Sequence, residues 1–255
     1  MENRPTAAPR HERPLPCGKH RLQLHSMATP NGQKVTIALE MTGAAYDAHY
    51  ADIMAGDQYG AAFTAANPNQ KIPLLIDTAG PLAGGGTGYV PLMESGAILL
   101  YLAEAFPASG LLPADSAARA VALQWLFWVA GAAPYWGQFG HFAFYQATKL
   151  PYPIARYTME AARLLDVLDR RLADATWVGG SMFSVADCAA YPWVECIVHR
   201  YQAGETLQVD ERPHLKRWRA ACAAHPAVKK GMLINGVADG AEFRNYSTAG
   251  SGATA

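Results

Sequence analysis

Apolar and polar residues alternate over Leu22-Gln23-Leu24-His25-Ser26, the period of a strand with one buried face. A helical period follows, with Val35, Ala38, Leu39 and Thr42 recurring three and four apart. Thr29 is placed to cap that helix, Pro30 fits its first turn where a missing N–H costs nothing, and Gly43 closes it. Residues 46–53 read as a second strand, and Gly56-Asp57-Gln58 opens a turn and a short helix. Residues 72–76 and 89–93 read as third and fourth strands, and 95–106 as a helix with Ile98, Leu99 and Leu102 on one face. Between those two strands lies a Gly-rich stretch, residues 79–88. It has no Gly-Lys-Ser/Thr ending and no helix follows it directly, so it is read as a surface excursion rather than a phosphate loop.

Strand, helix, strand, helix, strand, strand, helix is the order of a thioredoxin-like α/β layer of roughly 90 residues. Pro and Gly punctuate residues 107–115, and beyond them the pattern is almost wholly helical. Residues 117–132 carry Trp125, Phe127 and Trp128, expected in the core rather than around a cofactor. Residues 152–172 are strongly amphipathic, with Ala155, Met159, Ala162, Leu165 and Leu168 on a core face. Ser184-Val185-Ala186-Asp187 is a capping box opening a helix over 185–199. A last helix covers 213–223, and Pro226 is expected to end it. The fold class is therefore α/β plus all-α. The expected divisions are a flexible arm over 1–20, an α/β domain over 21–107, a helical domain over 115–235 and a frayed tail over 240–255. The arm, rich in Pro, Arg and His, reads as disordered or as wrapping a partner subunit.

Composition narrows the function. Of 255 residues 51% are hydrophobic, enough for a full core, and the 21 basic residues equal the 21 acidic ones. That balance argues against a general nucleic-acid binder. No long apolar run suggests a membrane span, and the N-terminus has no apolar signal region, so a cytoplasmic protein is expected. The 4 cysteines, Cys17, Cys188, Cys196 and Cys222, form no C-x-x-C pair, so neither a dithiol motif nor a metal site is expected.

The chemistry concentrates in two segments. Asn67-Pro68-Asn69-Gln70-Lys71-Ile72-Pro73 leads into a buried strand, and Met93-Glu94-Ser95-Gly96 turns into a helix. Proline lacks the N–H a strand ladder needs, so a cis peptide that turns the Ile72 backbone outward is expected at Ile72-Pro73. Ile72 would offer its N–H and C=O to an extended ligand, the helix start at Ser95 would suit a carboxylate, and Glu94 an ammonium. Glutathione, with both charges at one end, fits that description. A glutathione enzyme must hold a thiolate, and Thr29 and Asn31 sit at a helix start whose N–H groups and dipole stabilise one. By spacing alone, Thr29 and Asn31 read first as simple caps, while Lys71 could equally be a solvated charge and Glu94 a helix-dipole partner.

Several stretches resemble the glutathione transferases, and within them the bacterial Nu class of disulfide-bond oxidoreductase-like enzymes. They are Thr29-Pro30-Asn31-Gly32-Gln33-Lys34, Gly56-Asp57-Gln58-Tyr59, Asn67 to Pro73, Glu94 to Glu104, Leu123 to Trp128, Gly140-His141-Phe142 and Ser184 to Asp187. The resemblance spans residues 22–228. It implies a sulfur-side pair of Thr29 and Asn31, with neither Tyr nor Cys in that turn. It implies glutathione binding by Gln58, Lys71, the Ile72 backbone, Glu94, Ser95 and Arg156. It further implies two glutathiones, or one glutathione disulfide, in a cleft between the domains, and reduction of disulfides without a protein cysteine. Gln138, His141 and Tyr145 are candidates for the second glutathione, though His141 also reads as an ordinary histidine. A homodimer is implied too. The alternatives are conjugation to electrophiles, reduction of organic peroxides, and a non-catalytic binding or regulatory protein on the same fold.

Overall fold

A computed structural model describes residues 8–81, 83, 85–236 and 241–248. The first 7 residues of the arm, Gly84, and residues 240 and 249–255 of the expected tail lie outside that set. The chain forms two compact units, residues 1–101 with 230–255, and residues 102–229.

In the first unit β1 (Leu22–Ser26) and β2 (Tyr46–Tyr50) run parallel, joined by α1 (Pro30–Thr42) as the crossover. After α2 (Ala61–Ala66), β3 (Leu74–Pro81) and β4 (Thr87–Leu92) form an antiparallel hairpin, and β3 lies antiparallel on β1. α3 (Ser95–Ala105) then leads out of the sheet. The mixed sheet, ordered β4-β3-β1-β2, is thioredoxin-like. Leu22, Leu24, Ile37, Leu74, Leu75, Ile98 and Leu99 are wholly buried. β1 is central and covered on both faces, so its polar residues Gln23 and His25 are also buried, where the alternation had suggested a solvated face. β2 stops at Tyr50, short of the expected residue 53. β3 starts only after the Ile72-Pro73 bond, which is cis, and runs on through a bulge between Asp77 and Gly80. The expected loop over 79–88 is thereby shortened to the tip of a hairpin.

The second unit is helical: α4 (Ser116–Gly140), α5 (Pro151–Asp174), α6 (Val185–Glu195) and α7 (Pro213–Ala224). α4 continues 8 residues past the expected stop at 132, with Pro134 inside it, because Trp136 and Phe139 prolong its buried face. Phe127 is 65% exposed, contrary to its expected core place. It points away from the stripe of Ala122, Leu126, Val129 and Ala133 that α4 buries. α4 and α6 each end in a π-helical turn, His141–Tyr145 and Cys196–Arg200.

Pro226 opens a further helix, α8 (Pro226–Gly231), rather than ending one; its fixed φ suits a first turn. The chain then returns to the first unit. α9 (Ala241–Arg244) precedes β5 (Tyr246–Ser247), which adds antiparallel to β2 as the fifth strand. The arm, from residue 8, lies against the same unit. Arg10 N donates to Tyr59 O at 2.7 Å, Ala61 N to His11 O at 2.8 Å, and Arg13 pairs with Asp57 at 2.8 Å.

Candidate functional site

The Thr29 turn is built by local chemistry and braced from afar. Thr29 caps α1 by accepting from Gly32 N at 3.3 Å. With a lone pair so engaged, its hydroxyl keeps a proton to donate outward. Gly32 has to be glycine, because a Cβ there would lie 2.1 Å from Met27 O and 2.4 Å from Ser26 Oγ. Asn31, half-buried, shares this first turn. The returning C-terminal segment holds the turn in place. Ala28 N donates to Asn235 O at 3.0 Å, Thr36 Oγ1 to Gly231 O at 2.6 Å and Gln33 Nε2 to Met232 O at 3.0 Å.

The second cluster joins residues 67–73 to the start of α3. Asn67 is buried; its amide donates to Lys71 O at 2.6 Å and its Oδ1 accepts from Asn69 N at 3.0 Å. Asn69 Nδ2 reaches Glu94 Oε1 at 3.3 Å. Glu94 takes a left-handed backbone, φ 67°, and its C=O accepts from Ile98 N at 3.0 Å, so it sits at the mouth of α3 with Ser95 next. Lys34 of α1 brings its Nζ to 3.5 Å from Ser95 Oγ. Burial pushes the Lys34 ammonium down to about 8, against the pull of Glu94. The Lys71 side chain is exposed and the Ile72 backbone precedes the ladder. Gln58 is buried, donating to Ile53 O at 3.3 Å, while its Oε1 meets no partner among the described residues.

In the helical unit Gln138 is exposed, while His141 and Tyr145 share the π turn after α4. His141 lies 3.0 Å from the Gln146 amide nitrogen, and Arg200 Nε donates to the Tyr145 hydroxyl at 3.3 Å. Such turns gather at functional sites. Gly140 permits this one, since a Cβ would fall within 2.1 Å of the Tyr201 ring. Arg156, on α5, faces solvent and sits 3.8 Å from Glu160. Gln138, His141 and Tyr145 therefore cluster within one unit, and Arg156 stands on a separate helix of it.

Comparison with known proteins places this arrangement. The model described as "Glutathione S-transferase, N-terminal domain" matches residues 24–110, and "Glutathione S-transferase, C-terminal domain" matches 151–221. Disulfide-bond oxidoreductase YghU of Escherichia coli is 47% identical over 243 residues, 91% of this chain and 81% of that protein. The chain belongs to the glutathione S-transferase family. Among solved structures, glutathione transferase YghU from Streptococcus pneumoniae, complexed with glutathione, is 42% identical. It superposes with a TM-score of 0.85 over 92% of this chain and 91% of its own. A glutathione transferase from Pseudomonas putida, with one glutathione disulfide bound per subunit, is also 42% identical, TM-score 0.79, over 84% and 92%.

For a transferase of this family the cysteines are informative. Cys188, Cys196 and Cys222 are buried and Cys17 is exposed. Burial raises the Cys196 thiol to about 11 and holds those of Cys188 and Cys222 well above the ordinary thiol value, so all three stay protonated and unreactive near neutrality. Among the described residues no group of three or more His, Cys, Asp or Glu could hold a metal ion, and no helix is long and apolar enough to cross a membrane. Sequence reasoning missed Lys34, Asn69 and the bracing segment at 231–235. For Lys34 a signal existed: it lies one turn before Ala38 on the buried face of α1.

Proposed function

We propose that this chain is a glutathione-dependent disulfide-bond reductase that binds two glutathiones, or one glutathione disulfide, and uses no cysteine of its own. The observation that carries the reading is the Thr29-Pro30-Asn31 turn. It places a hydroxyl at a helix N-terminus, a setting suited to a thiolate, with no cysteine in the turn and three of the chain's four thiols kept protonated. The relatives named as disulfide-bond oxidoreductase and as holding glutathione disulfide support it.

The chemistry is two thiol–disulfide exchanges. The Thr29 hydroxyl and the Asn31 amide or backbone N–H, helped by the dipole of α1, stabilise the first glutathione thiolate. That thiolate attacks one sulfur of the substrate disulfide, whose S–S bond breaks as the mixed disulfide forms, and the departing thiolate takes a proton. The second glutathione thiolate attacks the glutathione sulfur of the mixed disulfide and releases the second substrate thiol. Two glutathiones are oxidised to glutathione disulfide and one disulfide is reduced to two thiols. Glu94 meets the γ-glutamyl ammonium, Ser95 its carboxylate, the Ile72 backbone the cysteinyl peptide, and Lys71 and Gln58 the glycyl end. Arg156, Gln138, His141 and Tyr145 are assigned to the second tripeptide, Arg156 as its carboxylate partner.

We place the chain in the Nu class, as a cytoplasmic homodimer with weak peroxide reduction as a side activity. Exposed Tyr89 in edge strand β4 and Met93 just after it, with Tyr152 and with Met159 of α5, which is 62% exposed where the periodicity had placed it on a core face, support self-association, which sedimentation would read.

The test is turnover of a small disulfide with glutathione. A variant with all four cysteines replaced by Ser or Ala should keep most of the activity. Asn31→Ala should lower kcat about 100-fold with little change in glutathione affinity, and Glu94→Ala should chiefly weaken affinity, about 10-fold. Loss of turnover in the cysteine-free variant, if that variant still binds glutathione, would overturn the mechanism.

A further inference from the structure

The turn that carries Gln58 has little structure of its own. It is a single 3-10 turn, Asp57–Tyr59, between Gly56 at φ 84° and Gly60, and α2 after it is 6 residues long. Neither glycine supplies a side-chain cap, and helices so short do not hold themselves together. The N-terminal arm provides what the segment lacks. Arg10 N donates to Tyr59 O at 2.7 Å, and the Arg10 guanidinium lies 3.7 Å over the Tyr59 ring. His11 pairs with Gly60 as a parallel bridge. Its carbonyl accepts from Ala61 N, the first N–H of α2, at 2.8 Å, and its Nε2 lies 3.3 Å from Gly56 O. The approach is close enough that a Cβ on Gly60 would come within 2.7 Å of the His11 ring. Arg13 completes the grip at Asp57, 2.8 Å away.

The arm backs the stretch 67–73 as well. Ala8 O accepts from Gln70 Nε2 at 3.4 Å, and the same amide donates to Thr64 Oγ1 of α2 at 2.9 Å. Leu15, like Ile72, packs against the buried cluster of Phe63, Leu74 and Ile76. One short piece of arm therefore holds both the turn with Gln58 and the loop with Lys71, the two segments assigned to the glycyl end. The γ-glutamyl end is assigned to Glu94 and Ser95, and none of these arm contacts reaches it.

We propose that Arg10, His11 and Leu15 are positioning residues for the glycyl end of glutathione, acting through Gln58 and Lys71. The inference rests on the glutathione reading above and gives the arm a part in it. Two segments already fixed in place need no further ordering when the tripeptide binds, so the arm strengthens binding without adding a contact to the ligand.

Calorimetric titration with S-methylglutathione and with S-methyl-γ-glutamylcysteine, which lacks only the glycine, tests this in the full chain. Arg10→Pro removes the N–H given to Tyr59, and Leu15→Asp expels the apolar anchor. The double variant should weaken S-methylglutathione about 10-fold and leave S-methyl-γ-glutamylcysteine within about 2-fold, which narrows the preference of the wild type for the glycine. In turnover the KM for glutathione should rise about 10-fold with kcat changed by less than about 2-fold. Arg10→Lys with Leu15→Met keeps the N–H and the anchor, and should restore wild-type values. Arg10→Pro alone, a milder change that guards against loss of the fold, should show the same selective loss at about 3-fold. Equal weakening of both ligands is what a merely structural role would give. That result, or unchanged affinity for S-methylglutathione, would overturn the role of the arm and leave the glutathione reading intact. A wild type that binds the two ligands equally would remove the glycyl assignment and the arm's role with it. Failure of the wild type to bind either ligand would overturn the glutathione reading itself.

Discussion

His25 illustrates how burial acts on a single residue. It is 2% exposed at the centre of the sheet and stacked on His49 at 4.9 Å between ring centroids. Desolvation, with the nearby His49 second, pushes its pKa down from 6.5 to about 3. Its neutral ring is therefore the folded form, while the unfolded chain takes up a proton below about pH 6.5. The stabilisation is complete above that value and is lost as the pH falls toward 3. It amounts to roughly 3–5 kcal/mol. Asp187 runs the other way: burial raises its carboxyl from 3.8 to about 6, so its contribution is present at low pH and is lost as the pH rises through 6. The two partly cancel between pH 4 and 6, so only a comparison separates them. Urea midpoints measured from about pH 7 down to pH 5 should fall less steeply in His25→Gln than in the wild type. Parallel profiles would show that His25 is not neutral in the folded state. The strand itself is legible from its alternation, but this pKa is not, because it depends on which face of β1 a second layer covers.

At the scale of elements, the capping box of α6 was readable in four letters, and the structure gives it a larger role. Asp187 accepts from Ser184 N at 3.0 Å, as the box requires. It also accepts from Val178 N and from the Trp218 indole, each at 2.8 Å. The box residues are adjacent in sequence, whereas Trp218 comes from α7, 31 positions on. Removing the carboxylate strands three buried N–H donors, each costing about 1–3 kcal/mol. Asp187→Ala should therefore cost several kcal/mol in urea unfolding, against ~1 kcal/mol for Ser184→Ala. Similar costs for the two would reduce Asp187 to an ordinary cap. The limits of elements were harder to read than their existence. β3 outran its apolar run because Gly80 and Pro81 pair with Gly88 and Thr87 of β4, and α4 outran Pro134 because Trp136 and Phe139 had a core to fill.

At the scale of the molecule, the chain closes on itself. Residues 231–235 bond to the Thr29 turn and to α1, and β5 completes the sheet at its β2 edge. Asn235 is central. It is fully buried with φ 58°, its N–H donates to Phe243 O at 2.6 Å, its amide to Arg244 O at 2.8 Å, and its carbonyl accepts from Ala28 N. Asn235→Ala adds backbone strain to the lost amide bond, and should cost about 2–3 kcal/mol in urea unfolding. Because the brace holds the turn proposed above as the sulfur side of the site, kcat should fall more than glutathione affinity does. A variant with unchanged kcat would show that the Thr29 turn stands without its brace.

The sequence by itself determined the elements, their α/β-then-helical order, the cap residues and the family, because each of these is written in short-range periodicity or in contiguous motifs. It also held the Thr29, Ile72 and Glu94-Ser95 groups, whose backbone roles are local. Only the tertiary structure decided that Lys34 meets Ser95 and that Asn235 braces Ala28. Those contacts join positions from tens to more than two hundred residues apart, where no local pattern acts and only packing can bring them together.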